Sequence, residues 1–314
     1  MKKRDFILCA PLHLIEHSNG VVAIAQLALS LEKAGYRASI CVCWRAGGDD
    51  AVCRVDLDTY VPARDEEREF IAKIKRAQEK YGLTLLKDVS QQYIDECYVV
   101  YPEVTLTNPL NAKRVVRYFL NKDGIMTGQR VDVGPNDFIL AHSRTMHPSA
   151  HFVCYFAATN PLFHKEGTRL AKERTLDLFY VGKGAAFGFK GSVANTLAIT
   201  RTWPQRKEQL AILLRNCRIF YTADACTSLN QEALLCGAIP AFIDKGPWTD
   251  AEIDDCELGV FPRLHYAASS DEVDFDAFET KRDRYINQIR AFQADWDARV
   301  AELGSKVEAH FDAR

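Results

Sequence analysis

Residues 221–242 read Y-T-A-D-A-C-T-S-L-N-Q-E-A-L-L-C-G-A-I-P-A-F, and this stretch decides how the chain is read. An apolar strand ends near Tyr221, a short loop carries Asp224, and Thr227 or Ser228 offers the hydroxyl that caps a helix. The first N–H groups of such a helix point back at the loop and make a ready phosphate site. Glu232 lies one turn further in, where a carboxylate can accept both hydroxyl protons of a ribose. Gly237 and Pro240 then turn the chain into a buried strand over 239–243.

Working outward, the same alternation extends upstream. Residues 176–181 are predicted as a strand ending in Gly182, Lys183 and Gly184, followed by a helix at 205–214, a strand at 218–221 and a helix at 228–236. The first forty residues repeat the theme. An apolar run at 6–10 leads through a polar loop at 13–20 into a helical pattern, with Val21, Ile24, Ala28 and Leu31 on one face. Gly35 stops that helix and 37–44 reads as a second strand, a βαβ opening whose strands run parallel. Two such halves imply two Rossmann-like sheets with ligands beyond the carboxyl ends of their strands.

Between these halves, 65–81 is predicted as a charged, solvated helix with Glu69 and Lys73 at i,i+4 spacing. Asn108 as N-cap, Pro109 at the first helical position and Gly124 beyond the end predict a helix over 109–120, with Lys113, Arg114 and Arg117 outward. Strands are expected at 138–141 and 152–157, and a polar connector at 159–174 marks the domain boundary. The tail, 275–311, is a long amphipathic helix or a pair, with Tyr285, Ile289, Phe292, Trp296 and Val300 as its apolar stripe.

Composition excludes several classes. The chain has 314 residues, 47% hydrophobic and 26% charged, which suits a folded protein with a sizeable core. A formal net charge of -2 gives no whole-molecule field for nucleic acid, and no nucleic-acid partner is expected. The ten cysteines sit mostly in apolar runs without C-x-x-C spacing, so neither a metal nor a redox site is expected. The basic tip before Phe6 is not followed by a signal-peptide core, and no apolar stretch nears the ~18 residues of a membrane span. The expected location is cytoplasmic, with peripheral contact at the inner face of the membrane as a further expectation.

The 221–242 segment resembles the donor-binding segment of GT-B glycosyltransferases, in which an acidic residue, seven intervening residues, a Glu and A-x-x-x-G-x-P-V recur. Asp224, Glu232, Ala233, Gly237 and Pro240 occupy those positions here. F-Y-V-G-K-G at 179–184 resembles the first strand and loop of the same domain. The resemblance implies that Asp224 lies near the transferred sugar, that Glu232 binds the ribose, and that Lys183, with Gly182, Gly184, Thr227 and Ser228, meets the donor phosphates. It departs in carrying Asp where many retaining members carry Glu, in the extra Ile239 before Pro240, and in Ala241 for Val. The stereochemical outcome therefore stays open.

The implied fold is GT-B: an acceptor-binding domain at 1–165, a donor-binding domain at 166–280, a cleft between them, and a helix at 281–314 packing back on the first. The implied activity is metal-independent transfer of a hexose-type sugar from a nucleotide-sugar co-substrate, with no separate cofactor, to a glycan or glycolipid acceptor, in bacterial surface polysaccharide or glycolipid synthesis. On the acceptor side the loop after the first strand carries His13, Glu16, His17, Asn19 and Gly20, with His17 or Glu16 as candidate general base. His142 and Arg144 follow the 138–141 strand, and Tyr101 and Glu103 follow another apolar run. A nucleotide-sugar 2-epimerase and a non-catalytic glycan- or nucleotide-binding relative are the alternatives. Metal-dependent GT-A enzymes need a D-x-D at a strand end, and neither Asp56-Leu57-Asp58 nor Asp274-Phe275-Asp276 follows a convincing strand.

Overall fold

The computed structural model describes residues 3–43, 56–157, 160–265 and 273–313. They form two compact units, Met1–Phe156 with Ala294–Arg314, and Ala157–Gln293.

In the first unit the elements run β1 (Phe6–Ala10), α1 (Asn19–Lys33), β2 (Ala38–Val42), α2 (Asp65–Tyr81), α3 (Gln91–Glu96), β3 (Tyr98–Pro102), β4 (Val115–Phe119), β5 (Phe138–Ala141) and β6 (Phe152–Val153). All six strands are parallel, in the order β2-β1-β3-β4-β5-β6. The strands β1, β3, β4 and β5 are buried along their whole length, as expected for parallel strands covered on both faces. The direction of winding reverses between β1 and β3, so their carboxyl ends flank the switch point where ligands of such sheets lie. Ser18 caps α1 by accepting from the Val21 amide, and Gly35 at φ +83° turns the chain toward β2.

The second unit runs β7 (Leu176–Tyr180), β8 (Leu197–Ile199), α4 (Lys207–Asn216), β9 (Cys217–Thr222), α5 (Ser228–Leu235), β10 (Ile239–Phe242), α6 (Asp250–Asp255), β11 (Leu264–His265) and α7 (Phe275–Ala294). Its five strands are also parallel, in the order β11-β10-β9-β7-β8, with the reversal between β7 and β9. Leu178, Phe220, Ala233, Cys236 and Leu214 meet in one apolar core with Phe163, which precedes the first strand. The final helix, α8 (Trp296–Asp312), belongs to the first unit and packs on α1. There Trp296 Nε1 donates to Ser30 Oγ at 2.9 Å, Ser30 donates to Asp297 at 2.7 Å, and Lys33 pairs with Asp297 at 2.9 Å.

Two Rossmann-like units, with the last helix in the first, match the expected fold class. Several local expectations fail. No helix spans 109–120: that region is a turn followed by β4. Asn108 closes the turn by bonding both backbone groups of Ala112 at 2.9 Å, and the Tyr101 hydroxyl donates to Asn108 while accepting from the Leu110 amide. Asn-Pro signals a turn as well as a helix start, and the β-branched and aromatic run V-V-R-Y-F favours the strand. Arg117 is therefore not outward. It is 3% exposed, pairs with Asp137 at 2.9 Å and donates to the carbonyls of Thr105, Thr107 and Asp132. Lys113 and Arg114 are tied to Asp95 on α3.

The strand expected over 152–157 holds only at Phe152–Val153. The unit boundaries lie at 156/157 and 293/294 rather than at 165/166 and 280/281. Phe163 is core to the second unit, and α7 is held there by Lys165, which pairs with Glu279 and Asp283, and by Tyr285, which donates to Glu257.

Candidate functional site

The carboxyl ends of β7 and β9 meet at the switch point of the second sheet. Beyond β7 the chain enters a 3-10 turn, Gly182–Phe187, and beyond β9 it carries Ala223, Asp224 and Thr227 into α5. The two loops are locked together. The Ala223 amide donates to the Tyr180 carbonyl at 3.0 Å, and the Lys183 amide donates to Asp224 Oδ2 at 2.9 Å. The Lys183 ammonium donates to the Cys226 carbonyl at 2.5 Å and stands 3.6 Å from Asp224 Oδ1.

Both glycines serve this closure. A Cβ on Gly182, at φ +53°, would lie 2.4 Å from Tyr180 Cε1 and 2.5 Å from Asp224 Oδ2, and one on Gly184 would lie 2.5 Å from the Ala223 carbonyl oxygen. Asn230 fastens the second loop from inside α5, donating to the carbonyls of Asp224 and Ala225 at 3.1 and 3.0 Å. Thr227 is the N-cap, its hydroxyl accepting from the Leu229 amide at 3.5 Å.

Asp224 is 2% exposed, and its Oδ1 has no hydrogen-bond partner among the described residues. A buried carboxylate oxygen without a hydrogen-bond partner, beside a cation and at the start of a helix, is an acceptor that a ligand hydroxyl or an ordered water would satisfy. Glu232, one turn into α5, is 5% exposed, and its Oε1 stands 3.9 Å from the Lys207 ammonium at the first turn of α4. Tyr180 lies between these groups. Burial first, then the Asp224 charge, pushes its hydroxyl above the usual tyrosine range, and Arg201 bonds that hydroxyl.

The structure thus brings together Gly182, Lys183, Gly184, Asp224, Thr227, Ser228 and Glu232, all singled out in the sequence, and adds Tyr180, Arg201 and Lys207, which sequence reasoning passed over. The available signal was the run 178–207, which holds five cations and no carboxylate. Among the described residues no group of three or more His, Cys, Asp or Glu side chains could hold a metal ion, and the nine described cysteines form no disulfide. Cys226 is no ready nucleophile, since its hydrogen bond with the Cys256 thiol and its burial hold its pKa well above the usual range.

In the first unit the acceptor candidates fall at strand carboxyl ends, with those after β1 and β3 at the switch point. His13 sits in the short turn Leu12–Leu14, its ring stacked on Phe70 at 4.2 Å. Burial, and then the Lys73 charge, lower its pKa to about 4, so it is neutral near pH 7. Glu16 is paired with Lys80 at 2.8 Å, and His17 is exposed. Asn19 opens α1, and Gly20 has room for a Cβ. Glu103, after β3, is 5% exposed and accepts from the Leu120 amide and the Asn121 side chain. After β5, His142 Nδ1 accepts from the Phe156 amide at 3.2 Å, and Arg144 donates to the carbonyls of Pro148 and Ala150. His142 and Arg144 therefore fasten the 143–156 segment.

No family model and no curated protein matches the chain. Solved structures similar to it include the spinosyn rhamnosyltransferase SpnG complexed with thymidine diphosphate, at 9% identity and TM-score 0.37 over 98% of this chain and 96% of that one. Os79 from O. sativa in complex with UDP shares 10% identity at TM-score 0.42 over 97% and 100%. A putative UDP-N-acetylglucosamine 2-epimerase from Listeria monocytogenes shares 8% at TM-score 0.42 over 99% and 98%. The class rests on the chain's own topology: two Rossmann-like parallel sheets in series, with the last helix in the first unit, define a fold of the GT-B kind. No helix is long and apolar enough to cross a membrane among the described residues.

Proposed function

We propose that the chain is a glycosyltransferase whose second unit binds a nucleotide-sugar donor and whose first unit presents the acceptor hydroxyl. The observation that carries this reading is Asp224: a buried carboxylate with one oxygen that has no hydrogen-bond partner among the described residues, at the β7/β9 switch point, beside Lys183 and the start of α5. In the proposed complex Asp224 accepts a hydroxyl of the transferred sugar and Glu232 the ribose hydroxyls. The start of α5 at Thr227 and Ser228, with the Gly182–Gly184 turn, faces the diphosphate. As the glycosidic bond breaks, negative charge grows on the leaving nucleotide, and the helix start and nearby cations favour that state. His17 or Glu16 is the proposed base that takes the acceptor proton. The acceptor class is a glycan or glycolipid of the bacterial surface, and transfer is proposed to be metal-independent, since cationic side chains are already at the site.

Titration of the whole chain with nucleoside diphosphates tests the donor half. Glu232→Gln should weaken binding by about 1–3 kcal/mol, the worth of charge-assisted bonds to ribose hydroxyls. An unchanged affinity in a folded variant removes Glu232 from the site. Loss of transfer on chelation, restored by a divalent cation, would overturn metal independence.

A further inference from the structure

From Leu178 to Lys207 the sequence contains Lys183, Lys190, Arg201, Arg206 and Lys207 and no carboxylate, in a chain whose formal charge is -2. Lys183 is engaged inward, Lys207 stands near Glu232 and Arg201 bonds the Tyr180 hydroxyl, but Lys190 and Arg206 are exposed and form no ion pair among the described residues. Several other cations of the second unit are paired with carboxylates: Lys165 with Glu279 and Asp283, Lys172 with Asp276, Arg218 with Asp177, Arg263 with Asp250 and Asp254. The same segment exposes large apolar groups. Leu197 is 39% and Trp203 44% exposed. β8 is the edge of its sheet, and Trp203 is drawn back beside it by bonds between its backbone and Thr200.

We infer that this edge, centred on β8 and the Trp203 turn, docks on a bilayer carrying anionic phospholipid. Phosphate headgroups answer the unmatched cations, a tryptophan prefers the interface, and an exposed leucine beside it gains from leaving water. Nucleic acid would answer the charge but not Leu197, and one exposed aromatic makes a poor stacking platform. The proposal is independent of the sugar-transfer reading, because the residues that carry it, Lys190, Leu197, Trp203 and Arg206, lie outside the candidate donor site.

The test is co-sedimentation of the full chain with vesicles of phosphatidylcholine and phosphatidylglycerol, at roughly three to one, against phosphatidylcholine alone. Binding to the mixed vesicles only, weakened by salt, is expected. Each basic residue near such a surface strengthens binding about fivefold, so Lys190→Ser with Arg206→Ser should weaken it on the order of twentyfold, while Lys113→Ser in the first unit leaves it unchanged. Tryptophan emission should shift to the blue on mixed vesicles, and the shift should vanish in Trp203→Phe. Equal binding to both vesicles, full binding by the double variant, binding to a single-stranded oligonucleotide but not to vesicles, or a dimer abolished by Leu197→Lys would each overturn the proposal.

Discussion

The ammonium of Lys183 stands 3.6 Å from Asp224 Oδ1 and donates to the Cys226 carbonyl, so one cation spans the loop that carries the most deeply buried acid of the candidate site. Both side chains are largely shielded, at 14% and 2% exposure, so the pair is only weakly screened. Lys183 has an internal partner set, and its loss acts on the loop whether or not it also meets phosphate. Lys183→Ala should destabilise the protein by about 2–3 kcal/mol by leaving a buried carboxylate uncompensated, and adding Asp224→Asn should recover part of that. Urea midpoints of the single and double variants check it. An unchanged midpoint for Lys183→Ala would mean that the ammonium does not support Asp224.

Gly182 holds a left-handed conformation with Tyr180 and Asp224 filling the space a Cβ would take. Gly182→Ala should cost at least about 2 kcal/mol, combining the conformational penalty with overlap against a packed ring and a fixed carboxylate. Thermal unfolding reads this directly, and a neutral effect would mean that the two loops part easily.

Gly304 tests the docking of α8. Alanine in a helix interior ordinarily gains about 1 kcal/mol over glycine. Here its Cβ would stand 2.5 Å from the Tyr36 ring, and that ring is 4% exposed and packed edge-on against Phe6. Gly304→Ala should therefore destabilise by about 1–3 kcal/mol, reversing the usual sign. Gly304→Ala with Tyr36→Leu should regain the helix-propensity benefit, and a stabilising single variant would show that α8 sits loosely on the first unit.

Stability should depend on pH through His13. Its pKa falls from 6.5 to about 4 on folding, so between these values the unfolded chain binds the extra proton. Stability is then lost as pH falls from about 6.5 to about 4. His13→Phe, which keeps a ring against Phe70, should flatten that part of the profile of melting temperature against pH. An unchanged slope would place the proton elsewhere.

Much of this was legible in the sequence because it is local. The Thr227 cap, the strand-end glycine turn at Gly182 and the alternation of apolar runs with helical periods follow from neighbours in the chain, and the structure places β7, β9, α5 and β10 where they indicate. The failure at 109–120 had a tertiary cause. Asn108 and Pro109 suit a turn and a helix equally, and the choice fell to Tyr101, seven residues away, whose hydroxyl holds Asn108, and to Asp137, which gives Arg117 a buried partner. Local propensity cannot report such partners.

By itself the sequence determined the α/β class, the two-unit plan and the residues of the 221–242 segment, since these depend on periodicity, capping and spacing. Only the tertiary structure decided that Lys183 turns inward to Asp224 and Cys226, that Tyr180, Arg201 and Lys207 join the same site, and that β8 is the edge of its sheet. Those outcomes turn on which side chains meet across parallel strands and loops far apart in the chain. Burial then makes the meeting decisive, because a charge removed from water must find its partner within a few ångströms.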